Sequence, residues 1–476
     1  MEEKYLHNLE AVPLSEIVKK EYRDYQIYTL MDRAIPYLQD GLKPVQRRIL
    51  YTLWKNQNKG LMKVSAATGL VLTLHPHGPQ SIEAAITNLA QDYTFSNNYP
   101  LIDKKGYFGE RMETTPAASR YIECRLGKVA EILLFDDMNQ VPLIPNYDEK
   151  SMEPLAMFPK LPIELLNGAE GIGTGFSSVI PSFHHKDVVE SLIYYLDKGK
   201  AKKMTPYFHY FSQKTDVDSE GKLIFNLKIE QIGEDFYITE VPRGYDAQKI
   251  YRFLNKHIDN GYIKDFIDSS VNNDIKIELV FKRGEEHTLE EVREKLKCQS
   301  SLVPNYTLIS EKGVKIFNTP EEIIEIFAEV RRDVVRKRYE ILAHDYEEKI
   351  RQNDEIIRFI KQKHYEVAIK TKNRKEYVEY LTKKKFTFSD YLADMAIYRM
   401  TKEEVNKRHL MIEEDTEQMK MCQKVCKSPA LVQKKLIEEL EEVREKLTEW
   451  LKDRDLEKIK QMRDLEKKKR RPKGIQ

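Results

Sequence analysis

Apolar residues return at helical spacing along most of this chain, and prolines, glycines and short alternating runs interrupt them at intervals that mark out separate elements. Over 14–55, Leu14-Ser-Glu-Ile-Val begins one helix behind Pro13, and Tyr25, Tyr28, Leu30, Met31 and Ala34 keep the period up to Pro36. A second helix starts at Pro44, where the missing N–H of a first-turn proline is harmless. Two shorter helices are predicted at 63–74 and 79–92, and His75-Pro76-His77-Gly78 between them makes the pair a helix-turn-helix candidate. Residues 97–109 are turn-rich and aromatic, helix returns around Tyr121–Leu134, and 155–180 hold too much Pro and Gly for one regular element. From about 185 to 315, helical stretches alternate with β-rich runs at 223–229 and 235–241, and Ile275-Lys-Ile-Glu-Leu-Val-Phe is the clearest strand.

Thr319-Pro320-Glu321-Glu322 is a strong helix start, and Ile323, Phe327, Val330 and Val334 follow it at spacings of four, three and four. Leu436, Leu440, Val443, Leu447 and Trp450 repeat the pattern near the C-terminus. The pair reads as an antiparallel coiled coil carrying a compact stretch, or as two unrelated amphipathic helices, since spacing alone does not bring two seams together. The whole is α+β, multidomain and mainly helical.

A chain of 476 residues exceeds one hydrophobic core, and about three domains of ~150 residues are expected. Lys and Arg number 79 against 77 Asp and Glu, so the net charge of +2 says little, whereas its distribution says more. From Gly41 to Ile82 the bases Lys43, Arg47, Arg48, Lys55, Lys59 and Lys63 occur without one acid, the footprint of a surface for a polyanion. Cys124, Cys298, Cys422 and Cys426 imply no disulfide framework, and Cys422 with Cys426 lacks the further ligands of a zinc site. Without a leader pattern or an apolar run near ~18 residues, a soluble protein of the reducing cytoplasm is expected, with no membrane span.

Tyr121 lies directly after Arg120 in Thr115-Pro-Ala-Ala-Ser-Arg-Tyr-Ile-Glu-Cys-Arg-Leu126 and suggests a nucleophile for DNA. A phenol, with an ordinary pKa of about 10, attacks a phosphodiester poorly unless cations or a metal stabilise the phenolate. Taken alone, Tyr121 also reads as a packing residue, Arg47 and Arg48 as a solvated helix face, and His75 and His77 as a helix junction. Gly171-Ile-Gly-Thr-Gly175 lacks the strand, helix and Lys-Ser/Thr pair of a nucleotide loop. No P-loop and no Asp-x-Asp cluster of the kind that would hold magnesium is found, so neither ATP nor Mg2+ is expected to be held by this chain alone.

Four motifs then occur together: Arg33-Ala-Ile-Pro with Asp40-Gly-Leu-Lys-Pro-Val-Gln-Arg-Arg-Ile-Leu50, His75-Pro-His-Gly78, Gly106-Tyr-Phe-Gly109 and Ser119-Arg-Tyr121. In this order and at these separations they resemble the breakage-reunion (A-type) subunits of type IIA DNA topoisomerases, those of bacterial gyrase and topoisomerase IV, over nearly the whole chain. The resemblance implies that Tyr121 attacks a backbone phosphate and becomes joined to the new 5′ end. Arg120 and Arg33 are then the cations beside it, and His77 contacts the scissile phosphate. Lys43, Arg47, Arg48 and His75 line the duplex, and Ile180, before Pro181, wedges between base pairs to bend DNA.

The resemblance also implies an organisation. An arm over 1–30 contacts a B subunit; behind it come a winged-helix DNA-cleavage domain at 31–155 and an α/β tower at 156–318. Coiled-coil arms at 319–365 and 431–466 flank a helical dimerisation gate at 366–430, and a basic tail occupies 467–476. ATP and Mg2+ belong to the partner B subunit with its ATPase and TOPRIM domains, and the assembly is two copies of each chain acting on double-stranded DNA. Because the sequence stops after a basic tail, without a wrapping domain, a topoisomerase IV-like role in relaxation and decatenation is expected over gyrase-like supercoiling. Gln80 and Ala84 replace the residues that anchor fluoroquinolones in many members, and Gln46 stands where histidine is frequent. A tyrosine recombinase and a noncatalytic DNA-bridging coiled-coil protein are the competing readings; the first predicts a 3′-linked adduct, the second no adduct.

Overall fold

The structure is a computed structural model that describes residue 15 and residues 18–470, with backbone alone from 459 onward. The helix start at Leu14, most of the 1–30 arm and residues 471–476 of the basic tail lie outside the described residues. The chain divides into two compact units, residues 1–330 with 439–476 and residues 331–438.

The first unit begins with a helical run whose middle piece is α1 (Arg23–Thr29), continued by Leu30–Ala34. Helix α2 (Pro44–Lys55) opens on its proline, and the Lys43 backbone N–H donates to Gln46 Oε1 at 2.9 Å. Strand β1 (Met62–Lys63) leads straight into α3 (Val64–Val71), and α4 (Pro79–Ala90) follows; α2, α3 and α4 pack on one another. A three-stranded antiparallel sheet completes this winged helix, with β3 (Glu123–Leu126) between β1 and β2 (Ile102–Lys105).

The helix expected from Tyr121 to Leu134 is instead this strand followed by α5 (Lys128–Leu134). Ile122, Cys124 and Leu126 are buried while Glu123 and Arg125 turn outward, a period of two that only a strand satisfies. Gly127 ends the strand where the chain passes Leu101 so closely that a Cβ would lie 2.8 Å from its carbonyl.

A hairpin, β4 (Leu143–Pro145) with β5 (Met152–Pro154), precedes α6 (Ile163–Asn167). A second hairpin, β6 (Ala169–Gly173) with β7 (Phe176–Ile180), turns over Thr174-Gly175. A Cβ on Gly171 would strike the Ala34 carbonyl, so glycine lets this hairpin lie against the end of the N-terminal helical run. Helix α7 (His185–Lys198) follows.

The tower segment has an antiparallel sheet of β8 (Lys228–Ile232), β9 (Asp235–Glu240), β11 (Ile277–Val280) and β10 (Asp265–Asp268), in that order. Phe236, Ile238, Ile277 and Leu279 bury one face against Ile250 and Leu254 of α8 (Ala247–Asp259) and Val292 of α9 (Leu289–Lys295). Thr288 and Glu291 cap α9 reciprocally. The buried Arg111 donates to the carbonyls of Val241, Pro242 and Tyr245 and thereby ties the winged helix to the tower.

Helices α10 (Pro320–Lys361) and α15 (Pro429–Arg470) contribute to both units. In the first unit, Glu321 and Glu325 of α10 accept from the backbone N–H groups of Met204 and Ala201, and Thr448 of α15 meets His185 at 2.9 Å. In the second unit, Ile356, Phe359 and Ile360 form a core with Tyr377 and Leu381 of α12 (Arg374–Lys383) and Leu392 of α13 (Ser389–Ala393), after a single turn, α11 (Tyr365–Ala368). The 26-residue α14 (Lys402–Lys427) lies beside α10, where Arg408 reaches Asn353 at 2.6 Å and His409 reaches Lys361 at 3.2 Å. Of the seam positions read from sequence, Ile323, Phe327, Val334, Leu436, Leu440, Val443 and Leu447 are buried, whereas Val330 is exposed and Arg331 is buried in its stead.

Candidate active site

Tyr121 occupies a turn between Pro116 and β3, where its backbone N–H donates to Ala118 O at 2.9 Å. The turn is exposed because β3 must begin two residues later with its apolar side inward, which leaves the phenol 65% accessible. Arg120 lies over the ring, its guanidinium carbon 4.6 Å from the centroid. That stack holds a cation beside the phenol without a hydrogen bond that would consume its donors. The start of α3 splints the turn: Val64 N donates to Ile122 O at 3.0 Å, Ser65 N to Ser119 O at 3.4 Å, and Lys63 Nζ to Tyr121 O at 3.4 Å. One strand residue further in, Cys124 is fully buried, and burial pushes its thiol up to about 12.

A second group forms where the N-terminal helical run meets the helix-turn-helix junction. Arg33 is exposed; its Nε donates to His77 Nε2 at 3.2 Å and its Nη2 lies 2.9 Å from His77 Nδ1. Arg48 makes a forked pair with Glu153 at 2.6 and 3.0 Å and reaches His75 Nδ1 at 3.0 Å. Asp32 lies 3.7 Å from both Arg48 and His77. His75 is buried, and desolvation, with Arg48 adding, pulls its imidazole down to about 4, so at neutral pH it is uncharged.

Several of the expected site residues are buried in the folded chain. Arg47 is buried in a forked pair with the fully buried Asp40 at 2.6 and 3.0 Å, whose carboxylate also accepts from Leu42 N and Met157 N. His75 is buried too, with its Nδ1 held by Arg48. Lys43 Nζ donates to Glu170 O at 2.7 Å, holding the base of the second hairpin, and burial lowers its pKa. Ile180 is buried, 3% exposed. Ile172, near the closing turn of the same hairpin, is 88% exposed and is the apolar residue that sequence reading passed over. The glycines on either side were the available signal, since Gly171 and Gly173 set the hairpin close against Ala34 and Leu30.

No hydrogen bond, ion pair or ring contact among the described residues joins the Tyr121 side chain to the Arg33–His77 group. Nor do three His, Cys, Asp or Glu side chains among them gather so as to hold a metal ion. Of the nearby carboxylates, Glu153 pairs with Arg48 and Glu123 with Lys63 and Lys105. No described helix is long and apolar enough to cross a membrane.

The chain is similar to DNA topoisomerase 2, mitochondrial, of Dictyostelium discoideum, 31% identical over 367 residues that cover 74% of this chain and 28% of that protein. It is 30% identical to the DNA topoisomerase 4 A-subunit of Borreliella burgdorferi, over 70% of this chain and 53% of that protein. The DNA gyrase A-subunit of Borrelia hermsii is 31% identical, over 69% and 44%. The chain thus spans between about a quarter and a half of these relatives. A crystal structure of the Plasmodium falciparum topoisomerase II DNA-binding, cleavage and re-ligation domain matches with a TM-score of 0.80 at 26% identity, covering 92% of this chain and 65% of that one. Residues 33–441 match the family of DNA gyrase/topoisomerase IV A-subunits, and the chain belongs to that family.

Proposed function

We propose that this chain is the breakage-reunion part of a type II DNA topoisomerase, with Tyr121 as the nucleophile. The observation that carries the reading is an exposed phenol under the Arg120 guanidinium, on a turn splinted to a helix-turn-helix. In the proposed step the phenolic oxygen forms a bond to phosphorus as the P–O3′ bond breaks. The phenol loses a proton and the 3′ oxygen gains one. One phosphodiester is exchanged for another, so resealing requires no new energy source. Arg120, and Arg33 with His77, stabilise charge on the nonbridging oxygens.

Two copies of this chain make a complete site in this reading, because Tyr121 and the Arg33–His77 group are not in contact within one copy. The second unit supports pairing through Ile397 and Tyr398, which are 82% and 74% exposed in a helical tip. A B subunit carrying the ATPase and the magnesium-binding carboxylates is proposed as the other partner, and exposed Tyr22, Tyr25 and Tyr28 near the N-terminus suit such a contact. Strand passage driven by ATP, with decatenation preferred over supercoiling, belongs to that assembly.

Incubating the chain and a candidate B subunit with end-labelled duplex, Mg2+ and ATP, then denaturing, tests the reading. Wild type is expected to give a 5′-linked adduct, and Tyr121→Phe none, with DNA affinity kept within about threefold. A 3′-linked adduct, or an adduct that survives Tyr121→Phe, overturns it. Parallel decatenation and supercoiling assays separate the two cellular roles.

A further inference from the structure

One row of side chains crosses the wing sheet immediately beside the nucleophile turn. The register pairs Lys63 of β1 with Glu123 of β3, and Glu123 with Lys105 of β2, so all three lie on one face of the sheet. Glu123 Oε1 meets Lys63 Nζ at 2.9 Å, and Oε2 meets Lys105 Nζ at 3.4 Å. Hydrogen bonding from Lys63 holds the Glu123 carboxyl below its ordinary range. As a surface ion pair this row would contribute little to stability. Its location gives it another use, because the same Lys63 ammonium is 3.4 Å from the Tyr121 carbonyl.

Lys63 is also the cap residue of α3, and the next two residues, Val64 and Ser65, donate their backbone N–H groups to the carbonyls of Ile122 and Ser119. Three consecutive residues therefore grip the turn at Ser119, Tyr121 and Ile122. The backbone ties are fixed by the sheet and helix start, whereas the grip on Tyr121 itself depends on a long side chain that Glu123 keeps from wandering.

We propose that Lys63, steadied by Glu123, is a positioning residue for Tyr121: it aims the phenol, and it couples docking of the helix-turn-helix on DNA to placement of the nucleophile. The proposal rests on Tyr121 being the nucleophile. Removing either member of the pair loosens the turn, so Lys63→Ala and Glu123→Gln act in the same direction. A purely electrostatic lysine would make them act oppositely, since one removes a positive charge and the other a negative one.

The test compares wild type, Lys63→Ala, Lys63→Arg and Glu123→Gln in two measurements. In the first, hydrogen–deuterium exchange of peptides spanning 116–126 is expected to speed up about tenfold in Lys63→Ala and Glu123→Gln, and to remain at the wild-type rate in Lys63→Arg. In the second, adduct formation in the presence of the B partner and saturating duplex is expected to fall about tenfold in the same two variants while duplex affinity changes less than about threefold, with Lys63→Arg restoring most of the yield. Unchanged exchange, opposite effects of the two variants, or a loss of affinity that matches the loss of adduct overturns the proposal. If wild type itself forms no adduct, the parent reading falls and this proposal with it, whereas a wild-type adduct with unchanged exchange overturns this proposal alone.

Discussion

Arg47 and Arg48 are neighbours on one helix, yet each is claimed by a different carboxylate. Arg47 points into the core to Asp40 and Arg48 reaches Glu153 of the first hairpin. Arg47→Ala would strand the Asp40 charge in a dry environment, and a loss of about 3–5 kcal/mol is expected in urea unfolding. The salt slope of DNA binding should not change, because no phosphate contact is removed. Glu164 offers a second residue-scale test. It is fully buried against Gly41, neither carboxyl oxygen has a partner among the described residues, and burial, with Asp40 adding, pushes its pKa up to about 8. The folded state keeps the proton while the unfolded chain releases it at its ordinary value of 4.5, so this stability is full below that pH and is lost as pH rises toward 8. The slope is about 1.4 kcal/mol per pH unit in that window. Thermal melts of Glu164→Gln between pH 5 and 8 should be flatter than those of wild type. Tyr121 with Arg120 was legible in the sequence because the two are adjacent. The fate of Arg47 was not, since burial is decided by Asp40 and Met157, brought together only in the folded chain.

At the scale of elements, prolines and caps told most. Pro44 and Pro79 each stand where a helix begins, and the start near Pro320 was equally plain. The strand at Glu123–Leu126 was hidden, because Ile-Glu-Cys-Arg-Leu followed by an apolar helix fits two periods at once, and only pairing with β1 and β2 decides between them. The hairpin of 169–180 shows the same dependence on pairing. Two isoleucines flank its turn, and the register, Ala169 opposite Ile180 and Gly173 opposite Phe176, sends Ile180 to the buried base and Ile172 toward the exposed tip. If Ile172 inserts between base pairs, Ile172→Ala should abolish most of the DNA bend seen by energy transfer between end-labelled fluorophores. Ile180→Ala should instead lower stability by about 2–5 kcal/mol as a buried truncation, leaving the bend intact in folded protein. Equal bending by wild type and Ile172→Ala would remove the wedge from the account.

For the whole molecule, two helices of 42 residues contribute to both compact units, and the second unit ends in a tip whose Ile397 and Tyr398 face solvent. Exposed apolar residues of this size seldom remain unpartnered when clustered. Ile397→Asp combined with Tyr398→Asp is expected to shift sedimentation from dimer toward monomer by at least about tenfold in dissociation constant, with the helical signal unchanged. Dimers that persist at wild-type strength would exclude the tip as the pairing surface. The sheet that carries Tyr121 has one more consequence. A thiol is ordinarily the better nucleophile, and Cys124 stands only three residues along the chain, but its burial keeps the sulfur protonated and shut away from solvent. If Tyr121 is the nucleophile, alkylating or oxidising reagents that consume surface thiols should therefore leave its reaction unchanged.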